Sequence, residues 1–553
     1  MTHGGSNEAA RSVREESEVD SEMVVAETSS LASDAPTYRL VIGGELVDAA
    51  SEATFDSIDP STGLPFARVA RAGRQDAERA IKAAREAFDG GPWRSMKGKQ
   101  RAEYLMKVAE LVKQNGKELA QLESRDSGGT IRKTKAADIG MVISTFRVLA
   151  ELAARENDEE PLPRNPFPPS HNYLRREPLG VCVGITPWNF PIQMAAWKIA
   201  PAIAAGNTVV IKPSPFAALT TLELGRLCLE AGIPEGVVNV IAGTGVEAGE
   251  ALVGSELVDK VAFTGSTEVG RRIMQLASSN LKKTTLELGG KSAAIVLDDA
   301  DLDYVADGAL WSVFFHTGQV CSAGTRLFVQ RPLYDDLVAE LVKRAQAFKV
   351  GPALDPSTDL GPVINKVQLQ TIERYVEIGR DEGADLLTGG ERAVVEGHDG
   401  GYYFQPTIFA ARSNDLRIAQ EEIFGPVLTV IPFDDDSDAI RMANDSVYGL
   451  AGGVWSRDIA RAVKVAEQLR TGTVWINDWH MINPRYPFGG YKQSGLGREH
   501  GEIGFNEYRE VKHIHIDQTG SREKHQWWDM VLPKQAAPAD LPEPGTPGSK
   551  PAG

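Results

Sequence analysis

The chain has 553 residues, more than one average domain holds, so roughly two to four domains are expected. Its formal net charge of −17 argues against nucleic acid and anionic membranes as partners, because both require a positively charged surface. The three cysteines, Cys182, Cys228 and Cys321, lie far apart without metal-ligand spacing, so neither a disulfide framework nor a metal site is predicted. Cys182 and Cys228 lie in apolar segments and are predicted to pack in the core.

The two ends of the sequence differ in composition from the rest. Residues 1–36 are acidic and almost free of aromatic side chains, so they are predicted to form a disordered acidic tail. The C-terminal extension 519–553 becomes rich in Pro and Ala and is predicted to be mostly mobile. Within it, Trp527 and Trp528 are expected to dock on the chain's own surface or on a neighbouring subunit. No export signal or long apolar run is present, which favours a cytoplasmic protein without a membrane partner.

The central third alternates between strand-like and helix-like segments. Helical periodicity covers 191–204, 217–231 and 267–278. Buried strands are predicted between and beyond these helices, at 180–186, 207–212, 237–242, 260–265, 284–289 and 292–297. A second series of strands and helices runs from 325 to about 476. Since this alternation is typical of parallel sheets covered on both faces, the predicted class is α/β, with two doubly wound parallel-sheet lobes and ligands bound at the carboxyl ends of the strands.

Cys321 lies in the segment GQVCSAG, after a predicted helix end. A single cysteine is most often a buried apolar residue. Here the small and polar neighbours would let a loop thiol face a cleft and let a substrate approach it. Because a thiolate can attack a carbonyl carbon, Cys321 is a candidate nucleophile.

Three polar side chains elsewhere could serve such a nucleophile. Glu287, in LELGG, could be an ordinary solvent-facing glutamate, but its apolar neighbours favour a carboxylate in a cleft with a pKa raised by burial. Asn189, in PWNFP, precedes a predicted helix, where by itself it would be an N-cap or turn residue. Lys198 lies on that helix, where a lysine is usually solvated.

Two glycine-containing segments follow strands and open helices. In GSTEVG (265–270), backbone N–H groups at the helix N-terminus could hold a pyrophosphate, although the pattern is not GxGxxG. GTGVEAG (243–249) looks closer to that pattern. It is interpreted as a turn before a helix, which could border an adenine pocket.

Four segments together carry a resemblance: TPWNFP (186–191), VAFTGSTEVGRRI (261–273), LELGGKS (286–292) and FHTGQVCSAGTR (315–326). In this order they resemble the aldehyde dehydrogenase superfamily, and the likeness runs from about residue 38 to residue 516. It implies a cofactor-binding domain (37–155 and 178–289), a catalytic domain (290–493) and a small β oligomerisation element (156–177 and 505–518).

The resemblance also implies roles for individual side chains. The family's nucleophile corresponds to Cys321, its general base to Glu287, and the amide that stabilises the developing oxyanion to Asn189. Lys198 corresponds to a lysine that some members use as a proton relay. These roles imply oxidation of an aldehyde to a carboxylic acid through a thiohemiacetal and a thioester, with a nicotinamide cofactor as hydride acceptor.

The implied cofactor is NAD, with NADP as the alternative. Its predicted binding residues are Thr186, Pro187, Trp188, Lys212, Ser214, Gly245, Gly265, Ser266, Leu288, Glu422 and Phe424. Lys212 would bond the adenosine ribose and Glu422 the nicotinamide ribose, with Phe424 packed there. Many NAD-preferring members have a glutamate three residues after this lysine, where this chain has Pro215. Pro215 neither bonds a ribose nor repels a phosphate, and the lack of an added arginine nearby favours NAD.

By family position, the aldehyde tunnel is predicted to be lined by Phe190, Met194, Trp197, Trp479 and Phe488. Such a tunnel favours an apolar aliphatic or aromatic aldehyde. The same residues could instead be core packing only, and His480 and Arg485 in the same loop could overturn the substrate prediction. A strand within 505–516 would pair across subunits in the family, which implies a homodimer or a homotetramer.

Three alternatives stay open at this point. The first is a CoA-acylating dehydrogenase, which the presence of Glu287 disfavours. The second is a catalytically silent structural or binding protein on the same scaffold, which would tend to lose the thiol or the base. The third is a cysteine hydrolase, which would need a histidine partner for the thiol; His316, five residues before Cys321, is the nominal candidate.

Overall fold

The computed structural model describes residue 31 and residues 35–155, 159–163, 169–522 and 525–533. The chain divides into two compact units. The first comprises Met1–Glu156 and Pro178–Glu510, and the second comprises Asn157–Glu177 and Val511–Gly553. Nearly all of the predicted N-terminal tail, 1–36, lies outside the described residues, and so does the chain after residue 533.

An eight-stranded sheet in the first unit contains the predicted cofactor-binding segments. In spatial order its strands are Gly495–Leu496, Lys283–Glu287, Lys260–Thr264, Val181–Ile185, Thr208–Lys212, Val238–Val240, Leu40–Ile42 and Glu45–Val47. The five strands from Lys283–Glu287 to Val238–Val240 run parallel, and the outer strands pair antiparallel. Every residue of Val181–Ile185 is buried, which explains its unbroken apolar sequence.

Helices flank the strands of this sheet in the chain. They are Arg74–Gly90, Gly98–Gln114, Gly116–Ser127, Ile131–Lys133, Ile139–Ala154, Pro191–Ala204, Leu219–Glu230, Glu250–Gly254, Thr267–Ala277 and Gly501–Asn506. Two π-helical segments, Thr134–Asp138 and Gly245–Gly249, continue directly into helices. The helix Pro191–Ala204 begins with proline at its first position, where the missing N–H costs nothing, and all of its residues are buried.

A seven-stranded sheet carries the segments that the sequence assigned to a second lobe. Its order is Asp385–Thr388, Thr407–Ala410, Val427–Phe433, Arg326–Gln330, Ala293–Val296, Ala451–Trp455 and Thr473–Ile476. Only the first pair is antiparallel. The accompanying helices are Leu302–Phe314, Arg331–Ala345, Lys366–Asp381, Arg417–Gln420, Asp436–Asn444 and Ile459–Ala466. The predicted α/β class with two largely parallel sheets is confirmed.

Two smaller sheets complete the described chain. The first unit contains a three-stranded sheet of Thr37–Tyr38, Leu64–Ala70 and Thr54–Asp59, which the sequence did not predict. The other small sheet consists of Arg509–Asp517, Ser170–Pro178 and Glu160–Pro161. The second unit's later segment begins at Val511 rather than at the predicted 505, because Phe505 and Tyr508 are buried in the core of the first unit.

The described part of the C-terminal extension forms a small local cluster. The short 3₁₀ helix Gln526–Met530 places Trp528 on the ring of His525, with ring centroids 4.2 Å apart, and Trp527 meets the same ring at 5.2 Å. Over the residues that the structure describes, no helix is long and apolar enough to cross a membrane. No group of three or more His, Cys, Asp or Glu side chains there is arranged to bind a metal.

Candidate active site

A cavity of about 1590 Å³ in the first unit brings together most of the predicted site residues. Cys321, Glu287 and Asn189 line it, although 34 to 132 positions separate them in the chain. Every predicted cofactor residue also lines it: Thr186, Pro187, Trp188, Lys212, Ser214, Gly245, Gly265, Ser266, Leu288, Glu422 and Phe424. The cavity therefore joins the two groups of motifs that the sequence treated separately.

Cys321 lies in a turn after the helix Leu302–Phe314. Three consecutive residues after that helix, His316, Thr317 and Gly318, have φ of 51°, 55° and 75°. Two of them are not glycine, so this left-handed stretch is strained and ends the helix abruptly. Burial, Glu422 and Glu287 together raise the pKa of the Cys321 thiol to about 12. The sulfur is therefore protonated at neutral pH in the ligand-free protein and must lose a proton when it attacks a substrate.

Glu287 is the last residue of the strand Lys283–Glu287, so its side chain lies at the carboxyl end of a parallel strand. It is 5% exposed, and its Oε2 atom has no hydrogen-bond partner in the described chain. Burial, and then the neighbouring carboxylate of Glu499, raise its pKa well above the usual value, the direction that the sequence predicted. An unpartnered carboxyl oxygen in a cavity can bind and deprotonate a water molecule.

Asn189 precedes the helix Pro191–Ala204 and is held from two sides. Its Nδ2 atom donates to the backbone carbonyl of Gln319, 2.9 Å away, in the loop that carries Cys321. Its own backbone carbonyl accepts a hydrogen bond from Lys133 Nζ at 3.1 Å. Since an amide nitrogen carries two hydrogens, one remains for a ligand in the cavity. That is the requirement for an oxyanion donor.

Lys198 differs from the default expectation of a solvated helix lysine. It is completely buried, and its Nζ lies 2.5 Å from Glu499 Oε1. Lys198 does not line the cavity. The reason is that its helix is covered on all sides. Glu499 itself was missed by the sequence analysis. The available signal was the glycine-rich segment GLGREHG (495–501) that contains it, and the short strand Gly495–Leu496 at the start of this segment pairs with Leu286 and Glu287.

The cofactor end of the cavity is formed by strand ends and a helix N-terminus. Ser266 caps the helix Thr267–Ala277, its Oγ accepting a hydrogen bond from the backbone N–H of Val269 at 3.3 Å. Thr186 Oγ1 and Thr264 Oγ1 are buried without a hydrogen-bond partner in the described chain, and both residues line the cavity. Buried orphan hydroxyls beside a helix N-terminus fit a phosphate-containing ligand.

Glu422 and Phe424 lie closer to the thiol. Glu422 Oε1 accepts a hydrogen bond from the backbone N–H of Gly290 at 3.1 Å, and burial raises its pKa to about 7. A Cβ atom at Gly289 would lie 2.0 Å from Glu422 Oε2, so any other residue at this position would displace the Glu422 carboxyl group. Phe424 has a φ of 57°, and its ring meets Trp188 edge-on with centroids 5.3 Å apart. Such strain at a site is typical of residues that shape a ligand pocket.

Lys212 lies at the end of its strand, where its ammonium bonds two carbonyls. Nζ donates to the backbone oxygens of Pro213 and Gly243, each 3.0 Å away. The chain near Gly245 and Gly249 lines the cavity beside it, so the segment GTGVEAG borders the pocket as predicted. The polar groups at both ends of the cavity therefore fit a dinucleotide.

The substrate end is apolar and contains one prediction that was wrong. Phe190, Met194, Trp197 and Phe488 line the cavity, but Trp479 does not. Trp479 is completely buried in the core of the second sheet, where its Nε1 donates to the carbonyl of Ser322 at 3.0 Å. The indole of Trp479 fits there because residue 453 is glycine, since a Cβ atom at Gly453 would lie 2.4 Å from the ring.

Two aromatic residues, Trp311 and Phe315, line the cavity although the sequence analysis did not name them. Their i, i+4 spacing just before the cysteine motif was the available signal. His480, which could have brought charge, is partly buried, and its Nε2 donates to the Ser312 carbonyl at 3.0 Å; burial lowers its pKa to about 3, so it is neutral. Arg485 pairs with Glu151, 2.9 Å away. Neither residue opposes the apolar tunnel.

His316 does not form a thiol–imidazole pair. Its ring packs on Phe190 with centroids 5.4 Å apart, and burial lowers its pKa well below the usual value. Over the described residues, no hydrogen bond joins this ring to Cys321, and Nε2 has no partner. The geometry therefore gives no support to the hydrolase alternative. Cys182 and Cys228 are buried in the core, as predicted.

The model of the aldehyde dehydrogenase family matches residues 46–514. The chain belongs to this family. A betaine aldehyde dehydrogenase from Bacillus subtilis (strain 168) is 48% identical over 479 residues, which is 87% of this chain and 97% of that relative. The mitochondrial aldehyde dehydrogenase of Leishmania tarentolae is 44% identical and shares 86% of this chain and 94% of its own length.

Solved structures agree with this assignment. A betaine aldehyde dehydrogenase from Staphylococcus aureus in complex with NAD+ has a TM-score of 0.85 and 41% identity, covering 88% of this chain and 95% of its own. The NAD+ complex of a Bacillus cereus aldehyde dehydrogenase has a TM-score of 0.85 and 42% identity, covering 87% of this chain and 97% of its own. The chain is therefore an NAD(P)-dependent oxidoreductase that oxidises aldehydes, and the CoA-acylating and silent-scaffold alternatives are not favoured.

Proposed function

We propose that this dehydrogenase converts an apolar aliphatic or aromatic aldehyde to its carboxylic acid, with Cys321 as nucleophile, Glu287 as general base and Asn189 as oxyanion donor. The observation that carries the proposal is that a thiol, a carboxyl with an unpartnered oxygen and an amide line one cavity. The apolar side chains at the same end, Phe190 and Phe488 among them, favour an uncharged substrate tail.

In this proposal, the Cys321 sulfur adds to the aldehyde carbon as the thiol loses its proton, and the Asn189 amide stabilises the oxyanion of the thiohemiacetal. The thiohemiacetal carbon then loses a hydride and becomes the carbonyl carbon of the thioester, and NAD+ held in the cavity would be the acceptor of that hydride. Glu287 then takes a proton from the water that attacks the thioester carbonyl. The carbon–sulfur bond breaks, the carboxylic acid leaves, and Cys321 regains a proton.

The residues proposed to hold NAD act at two places. Thr186, Ser266 and the start of the helix Thr267–Ala277 would bind the phosphates, and Glu422 with Phe424 would hold the nicotinamide ribose. We favour NAD over NADP. Pro215 lines the cavity and offers no charge, and Arg272, which also lines it, is paired with Glu250 at 2.9 Å instead of facing a phosphate alone.

A second candidate substrate is an aldehyde with a quaternary ammonium tail. It is favoured by the relatives named as betaine aldehyde dehydrogenases. The aromatic rings of Phe190, Trp197, Trp311, Phe315 and Phe488 line the cavity and could hold such a cation by cation–π attraction.

The test compares betaine aldehyde with 3,3-dimethylbutanal, which has the same shape without the charge, together with hexanal and benzaldehyde. NADH formation is measured with NAD+ and separately with NADP+. If the proposal holds, hexanal, benzaldehyde and 3,3-dimethylbutanal show the higher kcat/KM. A preference for betaine aldehyde of about tenfold or more over its neutral isostere would assign the second candidate instead. Turnover that requires coenzyme A would overturn both.

The remaining predictions concern organisation. We propose a cofactor-binding domain of 37–155 and 178–289, a catalytic domain of 290–493, and a cytoplasmic homodimer or homotetramer. In support, the chain passes from the first large sheet to the second between Glu287 and Ala293. Sedimentation of the full chain tests the oligomeric state.

A further inference from the structure

A buried charged cluster lies behind the loop that carries Asn189. It consists of Lys133, Asp138 and Glu123. Lys133 Nζ lies 3.0 Å from Asp138 Oδ2, and the two side chains are 3% and 0% exposed. Glu123 is also completely buried and accepts a hydrogen bond from the Thr220 hydroxyl. Burial raises the pKa of both carboxyl groups, to about 8 for Glu123.

This cluster bonds the backbone of Asn189 and of Ile192, three residues after it. Lys133 Nζ donates to the Asn189 carbonyl at 3.1 Å and lies 4.0 Å from the ring centroid of Phe190. Glu123 Oε1 accepts a hydrogen bond from the backbone N–H of Ile192 at 3.3 Å. Asn189, two residues before the helix Pro191–Ala204, is thus held by an ammonium, and the first turn of the helix is held by a carboxyl.

The buried ion pair in this cluster is not expected to stabilise the fold. Removing two charges from water usually costs more than their attraction returns, so an apolar replacement is often as stable or more stable. The chain also places Lys133 at the start of a π-helical segment, Thr134–Asp138, which brings Asp138 to the same ammonium. π-helical segments are rare in proteins, and those that occur are often found near functional sites. A buried ion pair that bonds the backbone of a site residue therefore points to a role in the site.

We propose that Lys133 is a positioning residue for Asn189: its ammonium fixes the Asn189 carbonyl, and thereby the direction of the amide that faces the reacting carbonyl oxygen. The inference rests on the oxyanion role proposed for Asn189. Lys133 does not line the cavity and touches no reacting atom. With the Asn189 carbonyl bound to Lys133 and its Nδ2 bound to the Gln319 carbonyl, both ends of the residue are fixed.

The first test is Lys133→Met, with Lys135→Met as the matched control. Lys135 lies in the same π-helical segment but is exposed. Removing an oxyanion donor outright costs roughly a hundredfold to a thousandfold in rate, so disturbing its position is expected to cost about tenfold to a hundredfold. The loss should appear in the rate of the pre-steady-state NADH burst. The affinity for NAD+ and the rate of Cys321 alkylation by iodoacetamide should stay within about twofold, since neither involves an oxyanion. Lys135→Met should leave all three unchanged.

A merely structural role gives a different pattern. In Lys133→Met with Asp138→Leu, both charges of the pair are absent, so the thermal stability should recover relative to Lys133→Met alone. The burst rate should stay low, because the bond to the Asn189 carbonyl is still missing. Recovery of the burst rate together with the stability would overturn the inference.

Asn189→Ala separates this inference from the role on which it depends. If Asn189→Ala slows the burst and adding Lys133→Met slows it no further, the two residues act as one unit. If Asn189→Ala slows the burst and Lys133→Met does not, the positioning role fails alone. If Asn189→Ala has no effect, the oxyanion role itself fails.

Discussion

The two ends of the cavity hold their groups by opposite physical means. At the thiol end, burial raises the pKa of two ionisable side chains, Cys321 and Glu287. At the cofactor end, Ser266 caps a helix, and Thr186 and Thr264 present uncharged hydroxyls. Burial at the thiol end disfavours the charged forms of side chains that the reaction must deprotonate. The cofactor end uses only uncharged groups that the ends of an ordinary strand and helix provide. Substitutions at the thiol end should therefore change rates, and those at the cofactor end should change affinity.

The largest effect is expected for Cys321→Ala. Aldehyde-dependent NADH formation should fall at least about a thousandfold, because no other described thiol lines the cavity. NAD+ affinity, measured by calorimetry, should stay within about twofold. Cys228→Ala is the control, since Cys228 is buried in the core away from the cavity. Appreciable turnover by Cys321→Ala would show that Cys321 is not the nucleophile and that the thiol end of the cavity does not set the rate.

The next largest effect on the rate is expected for Glu287→Gln. The first turnover should still produce an NADH burst, while the steady-state rate falls about a hundredfold or more, because only hydrolysis of the thioester needs the base. Rapid mixing with excess enzyme and then with excess aldehyde separates the two phases. Glu502→Gln, at an exposed position, should change neither. A variant that lacks the burst would place Glu287 in the first half of the reaction instead.

The same variant has an expected effect on stability. The pKa of Glu287 is raised on folding, so the folded chain holds this proton more tightly than the unfolded chain does. Its contribution to stability is fully present below the unfolded pKa of about 4.3 and is lost as the pH rises through the folded pKa. Within that window the loss is at most about 1.4 kcal/mol per pH unit. In thermal unfolding, the stability of Glu287→Gln relative to the parent chain should increase as the pH rises. If both chains show the same dependence of stability on pH, the raised pKa of Glu287 is contradicted.

The smallest effect is expected at the cofactor end. Ser266→Ala removes the N-cap of the helix Thr267–Ala277 and a hydroxyl that is proposed to bind a phosphate of the cofactor. The loss of one such hydrogen bond, about 1 kcal/mol, corresponds to roughly fivefold weaker NAD+ binding. At saturating NAD+, kcat should be unchanged. Ser278→Ala, at the exposed far end of that helix, is the control. A fall in kcat without a change in affinity would mean that the two ends are not independent.

Local sequence patterns predicted much of this frame. The helix Pro191–Ala204 begins and ends where the sequence placed it, and the strand Thr208–Lys212 lies within one residue of its predicted range, 207–212, because proline, glycine and runs of β-branched residues act over a few positions. The sequence missed the small sheet formed by Thr37–Tyr38, Leu64–Ala70 and Thr54–Asp59. One of its strands, Thr37–Tyr38, has only two residues, and it pairs with Leu64–Ala70 across a long separation in the chain.

The sequence by itself determined the α/β class, the reaction class and most of the polar residues that meet in the cavity, since these follow from contiguous motifs. Only the tertiary structure decided which side chains are buried and against what. It placed Trp479 in the core instead of the tunnel, and it buried Lys198 against Glu499 and Lys133 against Asp138. Burial and ion pairing depend on segments that are distant in the chain, and no local pattern specifies which distant segment will cover a residue.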